Sequence, residues 1–273
     1  MDVSVCAITA GRDRHLLEQV ARVERAAPPP AEHIVVFMGQ RDRPWARRPR
    51  LVREVQLDGG IELARARNAA ARAAASPVLV FLDVDVVPAP DSVARLAEEA
   101  AGTGALVMAE PRYLAPGWDR VSDPAASAIP HPSRAGLGTG ASNRYEMFWS
   151  LGFAITAERF AEIGGFHEGY SGYGGEDTDF AFAARAAGVP FRLSAAPVFH
   201  QAHAVVRPPV QHAAAIVRNA SRFAERWGEL PMRGWLDAFA ELGLVEVEGG
   251  TARLVREPTD AEIAARTLPD ARF

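Results

Sequence analysis

No lysine occurs among the 273 residues; all 30 basic side chains besides histidine are arginine. That absence excludes Schiff-base lysine chemistry and the GK[ST] phosphate loop. Cysteine is nearly as scarce. The single thiol, Cys6, excludes a disulfide framework, a CxxC redox pair and a multi-cysteine zinc site. Its neighbours Val3, Ser4, Val5, Ala7 and Ile8 read as a buried strand. No apolar run approaches the ~20 residues of a membrane span. Asp2 and a short strand stand where a secretory leader would be basic and then apolar, so a cytoplasmic location with no transmembrane segment is expected. Excess charge is lacking too: 30 basic against 34 acidic residues give a net charge of −4, and no nucleic-acid partner is expected. No internal repeat is evident. What remains, 48% hydrophobic and 23% charged, is an ordinary globular composition long enough for one large α/β domain and an appendage.

Short apolar runs alternate with helical periods, the pattern of a mostly parallel sheet covered by helices. Strands are expected at Val3 to Thr9, His33 to Met38, Leu51 to Leu57, Val78 to Leu82 and Ala105 to Ala109. Between them fall a helix with Leu16, Leu17, Val20 and Val23 on one face, an alanine-rich helix from Ile61 to Ala75, and a helix capped by Asp91. From Pro111 to Arg144 the pattern dissolves into Pro, Gly, Ser and Ala, the composition of a functional loop. Order returns at Met147 to Ile155. A short helix closes at Gly164-Gly165-Phe166, another opens at Glu176-Asp177 behind Gly172-Tyr173-Gly174-Gly175, and Phe191 to Val198 rejoins the sheet. Beyond Pro208-Pro209 an apolar seam of Val210, Ala213, Val217, Ala220, Ala224 and Trp227 is expected to cover the sheet or to pair two copies through the 210–227 helix. A helix with Trp235, Leu236 and Phe239 and a hairpin at Gly249-Gly250 follow. The expected organisation is a catalytic domain at 1–205 and a helical appendage at 206–273. The former divides into a nucleotide-binding half (1–110), a flexible loop (111–145) and an acceptor half (146–205).

Three constellations carry chemistry. Asp83 and Asp85 end a buried strand, where ligands of open α/β sheets collect. Being two apart, they project to one face and can reach one divalent ion such as Mg²⁺ or Mn²⁺. Glu176, Asp177 and Asp179 open a helix directly after Gly174-Gly175. Complementing the helix dipole explains one or two of these acids; a carboxylate there could also take a proton from an acceptor hydroxyl, with aromatic faces packing on a sugar ring. His200 and His203 leave a strand end and are candidate metal ligands. Their spacing puts both on one ion only if the chain turns after His200. Arg12, Arg14, Arg65 and Arg67 offer forks suited to a diphosphate.

In order along the chain stand Thr9-Ala10-Gly11-Arg12-Asp13-Arg14-His15-Leu16, Ala66-Arg67-Asn68-Ala69, Phe81-Leu82-Asp83-Val84-Asp85, Phe148-Trp149-Ser150-Leu151-Gly152-Phe153, Gly164-Gly165-Phe166 and Gly172-Tyr173-Gly174-Gly175-Glu176-Asp177. Together they resemble the inverting GT-A glycosyltransferases of family two. The second half is similar to the C-terminal region of the animal beta-1,4-galactosyltransferases. The resemblance spans roughly residues 3–203 and implies a Rossmann-like nucleotide-diphospho-sugar transferase fold, a nucleotide-sugar donor, with UDP first, and Mn²⁺ or Mg²⁺. It implies that Asp85 binds the metal and that Asp83 contacts the metal or the ribose. Asp177 becomes the general base, Glu176 the acceptor's holder, and His200 or His203 the late metal ligand. Thr9, Arg12, Arg14 and Arg67 fall near the nucleotide; Trp149, Tyr173, Gly174 and Gly175 fall at the sugar and acceptor pocket. One departure stands out: the family's acid after the second strand is replaced by Met38-Gly39-Gln40-Arg41, leaving Gln40 or Asp58 to meet the base.

The implied reaction is a single displacement inverting the anomeric carbon, with residues 111–145 closing over the donor. The acceptor is a glycan, a lipid-linked sugar, a peptide or a small metabolite. A haloacid-dehalogenase-like phosphatase would share the Asp83-Val84-Asp85 spacing but needs a lysine. A GT-A-like nucleotidyltransferase would share the metal aspartate without needing the Gly172–Asp177 turn, and a silent nucleotide-sugar- or glycan-binding module would need no acids there.

Overall fold

The computed structural model describes residues 1–120, 124–134, 136–269 and 271. The chain opens with β1 (Val3–Thr9), α1 (Asp13–Glu24), β2 (Glu32–Met38), β3 (Val52–Leu57) and α2 (Leu63–Ala73). It continues through β4 (Val78–Leu82), β5 (Val86–Pro88), α3 (Ser92–Thr103) and β6 (Leu106–Tyr113). Short strands β7 (Ile129–Pro130) and β8 (Gly140–Ser142) precede β9 (Gly152–Thr156), α4 (Ala157–Ile163), α5 (Glu176–Ala186) and β10 (Phe191–His200). Then come β11 (Val205–Val206), α6 (Ala213–Trp227), α7 (Arg233–Glu241), the hairpin β12 (Val245–Glu248) and β13 (Thr251–Leu254), α8 (Asp260–Ala265) and β14 (Thr267–Leu268).

The main sheet runs β3-β2-β1-β4-β9-β6-β10-β5. Its first four strands are parallel, β9 lies antiparallel between β4 and β6, and β6 pairs parallel with β10. The chain winds outward from β1 to β3 and returns to β4 on the other side of β1. The carboxyl ends of β1 and β4 therefore flank a topological switch point, where such sheets open a crevice for ligands. Phe81, Phe153, Phe160, Phe166 and Phe180 form an aromatic core on one face. Phe166 stacks on Phe180 at 4.2 Å and Phe81 on Phe153 at 4.6 Å. Each pair adds about 0.5–1.5 kcal/mol beyond its buried area. This core carries the Gly164-Gly165-Phe166 turn and the start of α5 on the same framework as β4.

Several expectations are corrected. Leu17 is 42% exposed; the buried face of α1 is Leu16, Gln19, Val20 and Val23, with a polar residue inside it. Asp91 precedes α3 but its side chain accepts no capping hydrogen bond. β6 continues past Ala109 to Tyr113, paired with β10. The stretch after it holds β7, β8 and several 3₁₀ turns, because Leu114, Trp118 and Ala128 bury against Val87 and Phe199. Residues 121–123 and 135 of the expected loop lie outside the described residues. The seam of α6 does not cover the sheet: Val210, Ala213, Ile216, Val217 and Ala220 form a separate core with Leu236, Phe239, Leu244 and Val245. Consumed within the chain, this seam is not an open face for a second copy. No helix among the described residues is long and apolar enough to cross a membrane.

Asp179 joins that C-terminal layer to α5. It is 1% exposed and accepts from the Tyr170 hydroxyl (3.0 Å), Trp227 Nε1 (2.8 Å) and Arg226 Nη1 (2.9 Å). Its place among the three clustered acids is thus structural. Asp179→Ala strands three donors at once and is expected to lower stability by about 3 kcal/mol, read as a reduced urea midpoint at unchanged slope.

Candidate active site

The strand-ending acids are fixed from beneath. Gln19, fully buried on α1, donates through Nε2 to the carbonyls of Asp83 and Val86, both at 2.7 Å. The Asp83 amide bonds the Leu151 carbonyl at 2.9 Å, and the Asp85 carbonyl accepts from the Gln201 amide at 2.7 Å. With its backbone held on three sides, the turn presents two carboxylates into the crevice.

Arg67 occupies the centre. Only 3% exposed, it donates from Nη2 to Asp83 Oδ1 at 2.9 Å and from Nη1 to Glu176 Oε1 at 3.0 Å. The guanidinium thus binds the end of β4 to the first turn of α5. Its nearest charges are carboxylates, so its two terminal nitrogens are engaged rather than open to phosphate, and Glu176, 6% exposed, is engaged with it. Asn68 beside it secures the preceding turn, accepting from the Phe166 amide and donating to the Phe166 carbonyl, both at 2.8 Å. Burial raises the Asp83 pKa, with Arg67 opposing.

The chain does turn after His200, and both histidines reach Asp85. His203 Nε2 lies 3.2 Å and His200 Nε2 3.8 Å from Asp85 Oδ2. One ligand atom from each of the three falls within 4.8 Å of the others. Burial pushes His200 down to about 4, leaving a neutral imidazole with a free lone pair at neutral pH. Burial opposes ionisation of Asp85, yet His200, His203 and Arg12 outweigh it and hold the carboxyl well below its usual range. His203 Nδ1 lies 2.8 Å from the Ala204 carbonyl. Were Nδ1 to donate there, Nε2 would be left as the ligand atom for an ion, and His200 Nδ1 is buried without a partner. One carboxylate and two imidazoles with these orphaned lone pairs fit a divalent transition ion; the mixed oxygen and nitrogen set suits Mn²⁺ better than Mg²⁺. Arg12 Nη1 meets the same Asp85 oxygen at 2.6 Å, placing a cation where the ion would sit.

Across the crevice, α5 opens at Gly175, its N-cap with φ 90°. Burial, and then the charge of Glu176, push Asp177 up to about 7, with Arg67 opposing. A carboxyl poised near neutrality is suited to take a proton. Tyr173 beside it is 40% exposed.

Other residues named from sequence spread more widely. Thr9 ends β1 with its hydroxyl buried and unpartnered. Arg14 pairs with Asp119 on the outer side. Arg65 pairs with Glu62. Trp149 carries the Arg134 guanidinium 4.1 Å above its ring, with His131 at its edge. Gln40 Oε1 accepts from the Gly11 amide and its Nε2 donates to Asp13, both at 2.8 Å, tying it to the first turn; Asp58 pairs with Arg41. Sequence reasoning missed Gln19, Asn68 as a clamp, Gln201 and Asn219. Of these only Gln19 left a signal, a polar residue inside an apolar helical period.

Glycosyl transferase family 2 matches residues 4–163, more than half of the chain. The chain belongs to glycosyl transferase family 2. A second family, described as the N-terminal domain of galactosyltransferase, matches residues 131–204 of this family-2 chain. A validoxylamine A glucosyltransferase of Streptomyces hygroscopicus subsp. limoneus is 29% identical over 224 residues, covering 70% of the chain and 49% of that protein. Its counterpart in Streptomyces hygroscopicus subsp. jinggangensis is 29% identical over 176 residues, covering 56% and 42%. The chain thus spans about half the length of the curated relatives it matches. Among solved structures, GalNAc-T7 with UDP, GalNAc and Mn²⁺ aligns at a TM-score of 0.57 with 17% identity, covering 74% of this chain and 44% of that one. S. aureus TarS 1-349 aligns at 0.56 with 13% identity, covering 89% and 71%. These likenesses show the GT-A fold.

Since Arg12 competes for the Asp85 oxygen, Arg12→Ala is expected to tighten Mn²⁺ binding. Half-exposure limits the gain to about three- to tenfold, measurable by isothermal titration of the donor-free protein.

Proposed function

We propose that this chain is a metal-dependent, inverting glycosyltransferase that moves a sugar from a nucleoside-diphosphate donor, UDP-sugar first, to an acceptor hydroxyl. The observation carrying this reading is the Arg67 bridge, which joins Asp83, two residues before Asp85 of the Asp85–His200–His203 cluster, to Glu176, the neighbour of Asp177. The Mn²⁺ and UDP of GalNAc-T7 support the donor chemistry, and the name of the curated relatives puts glucose first among the sugars.

Asp85, His200 and His203 would hold the divalent cation, which when bound supplies Lewis-acid stabilisation of the departing diphosphate. Arg12, freed from Asp85, has a fork to offer the same phosphate oxygens. Thr9 contributes its unpartnered hydroxyl at the β1 end of the crevice. The acceptor oxygen attacks the anomeric carbon while Asp177 takes its proton, and the bond from that carbon to the diphosphate oxygen breaks. The attack comes from the face opposite the leaving group, so configuration inverts without a covalent intermediate. Arg67 acts as a positioning residue, holding the carboxylates of Asp83 and Glu176 beside Asp85 and Asp177. His131 and Arg134, on the segment after β7, pack on Trp149 and narrow the entrance, excluding the water that would compete as acceptor.

The test is nucleoside diphosphate release from a panel of nucleotide sugars led by UDP-glucose, with Mn²⁺ and with chelator. Release that needs Mn²⁺ is expected; inorganic phosphate or pyrophosphate as product instead would overturn the reading. Asp177→Asn is expected to cut kcat by about 10²–10⁴ while Mn²⁺ affinity stays within twofold. Because Asp177 is raised to about 7 and must be ionised to act, kcat should fall about tenfold per pH unit below that value and level off above it. A flat profile between pH 5.5 and 7 would assign the proton to another group.

A further inference from the structure

The C-terminal layer reaches the catalytic turn and grips it. Asn219 of α6, 1% exposed, donates through Nδ2 to the carbonyls of Ser171 (3.1 Å), Tyr173 (3.3 Å) and Gly174 (2.8 Å), and its Oδ1 accepts from the Ser171 amide at 3.4 Å. A Cβ on Gly174 would stand 3.0 Å from Met232 Sδ and 3.7 Å from Trp235; one on Gly175 would stand 3.5 Å from Met232 and 3.6 Å from Asn219. Met232 itself holds a left-handed φ of 53°, the one non-glycine residue among those described to do so. Such a conformation costs of order 1–2 kcal/mol and persists where the surroundings over-determine it.

This grip assembles an aromatic wall beside Asp177. The Tyr173 ring lies 4.6 Å from that of His212, nearly parallel at 20°, and 5.9 Å from Trp235 at 31°. Tyr173 is 40% exposed, and His212 and Trp235 are half-buried. Burial lowers the His212 pKa, so the wall is uncharged at neutral pH. Burial and the charges of Glu176, Asp177, Asp83 and Asp85 all oppose ionisation of the Tyr173 phenol, which lies within reach of those acids. Of the nearby guanidinium groups, Arg233 is paired with Asp237, while Arg218 donates to the Ser171 carbonyl and keeps its charge.

We propose that His212 and Trp235 join Tyr173 as the acceptor subsite, and that it takes a neutral polyhydroxylated ring, a pyranose or a cyclitol. The axial C–H face of such a ring packs on aromatic surfaces, and the three rings themselves carry no charge to pair with an anionic acceptor. A hydroxyl at the ring's edge then falls to Asp177. This inference rests on the glycosyl-transfer reading but is tested without turnover.

The experiment is saturation-transfer NMR on the full chain with UDP and Mg²⁺. The probes are methyl β-D-glucopyranoside, methyl α-D-mannopyranoside and myo-inositol at millimolar concentration. Ring C–H signals from at least one probe are expected in the wild type, at least fivefold weaker in Trp235→Ala and in His212→Ala, and largely kept in Trp235→Phe. Thermal unfolding and Mn²⁺ titration of the same variants identify one that fails to fold, and the remaining pair still decides. Signals unchanged in the folded alanine variants, or absent from the wild type with all three probes, overturn the assignment. Failure of the glycosyl-transfer reading would show separately, as no nucleoside diphosphate released by any donor.

Discussion

One buried guanidinium holds the crevice together. Arg67 is nearly sealed from solvent, and a cation so placed is tolerable only while its carboxylate partners stay with it. Asp83 and Glu176 are those partners, and they come from opposite ends of the catalytic region. The strand that ends at Asp83 and the helix that opens at Glu176 cannot drift apart without exposing an unpaired buried charge. A planar fork can serve two carboxylates in fixed directions at once, which a lysine ammonium does with far less directional definition. The arginine-only composition of the chain is therefore no handicap here.

The charge count around that bridge explains the rest of the electrostatics. Asp83, Asp85, Glu176 and Asp177 lie around it, while the single charge of Arg67 is shared between two of them and Arg12 pairs with a third. The fourth is left to burial, which is why Asp177 titrates near neutrality while Asp85, among Arg12 and two histidines, stays ionised. Two carboxyl groups thus take opposite characters, one held ionised, the other raised toward neutrality. Neither character belongs to aspartate as such; each follows from which positive groups the fold brings near.

Much of this was readable before any coordinates. The β1 and β4 strands, the paired acids after β4, the glycine turn before α5 and the Gly249-Gly250 hairpin all have local signatures, and local signatures are what a sequence displays. The segment after β6 lacked one: Leu114, Trp118 and Ala128 bury without a period, so it read as loop. Leu17 was misplaced because Gln19 takes its share of the buried face of α1, and a glutamine is buried only where carbonyls such as those of Asp83 and Val86 await it. The α8 helix did leave a mark, Thr259 with Glu262 three residues on, a reciprocal cap visible in sequence and passed over. The meeting of Arg67 with Glu176 spans 109 positions and has no local trace.

The hardest feature to foresee is that the C-terminal layer belongs to the site. Its apolar seam looks like a cover because the residues that matter, Asn219 among them, sit inside the same helical period as the core. Three carbonyls of the turn, at Ser171, Tyr173 and Gly174, accept from Asn219; the buried one, of Gly174, would cost about 1–3 kcal/mol if left unpaired, while that of Ser171 also accepts from Arg218. One amide nitrogen from α6 serves all three. The two glycines before α5 then have a physical reason: both hold positive φ, 91° and 90°, and a Cβ on Gly174 would crowd Met232 Sδ at 3.0 Å. The turn that carries Glu176 and Asp177 is accordingly held from both sides, by Arg67 within the sheet region and by α6 and α7 from outside it.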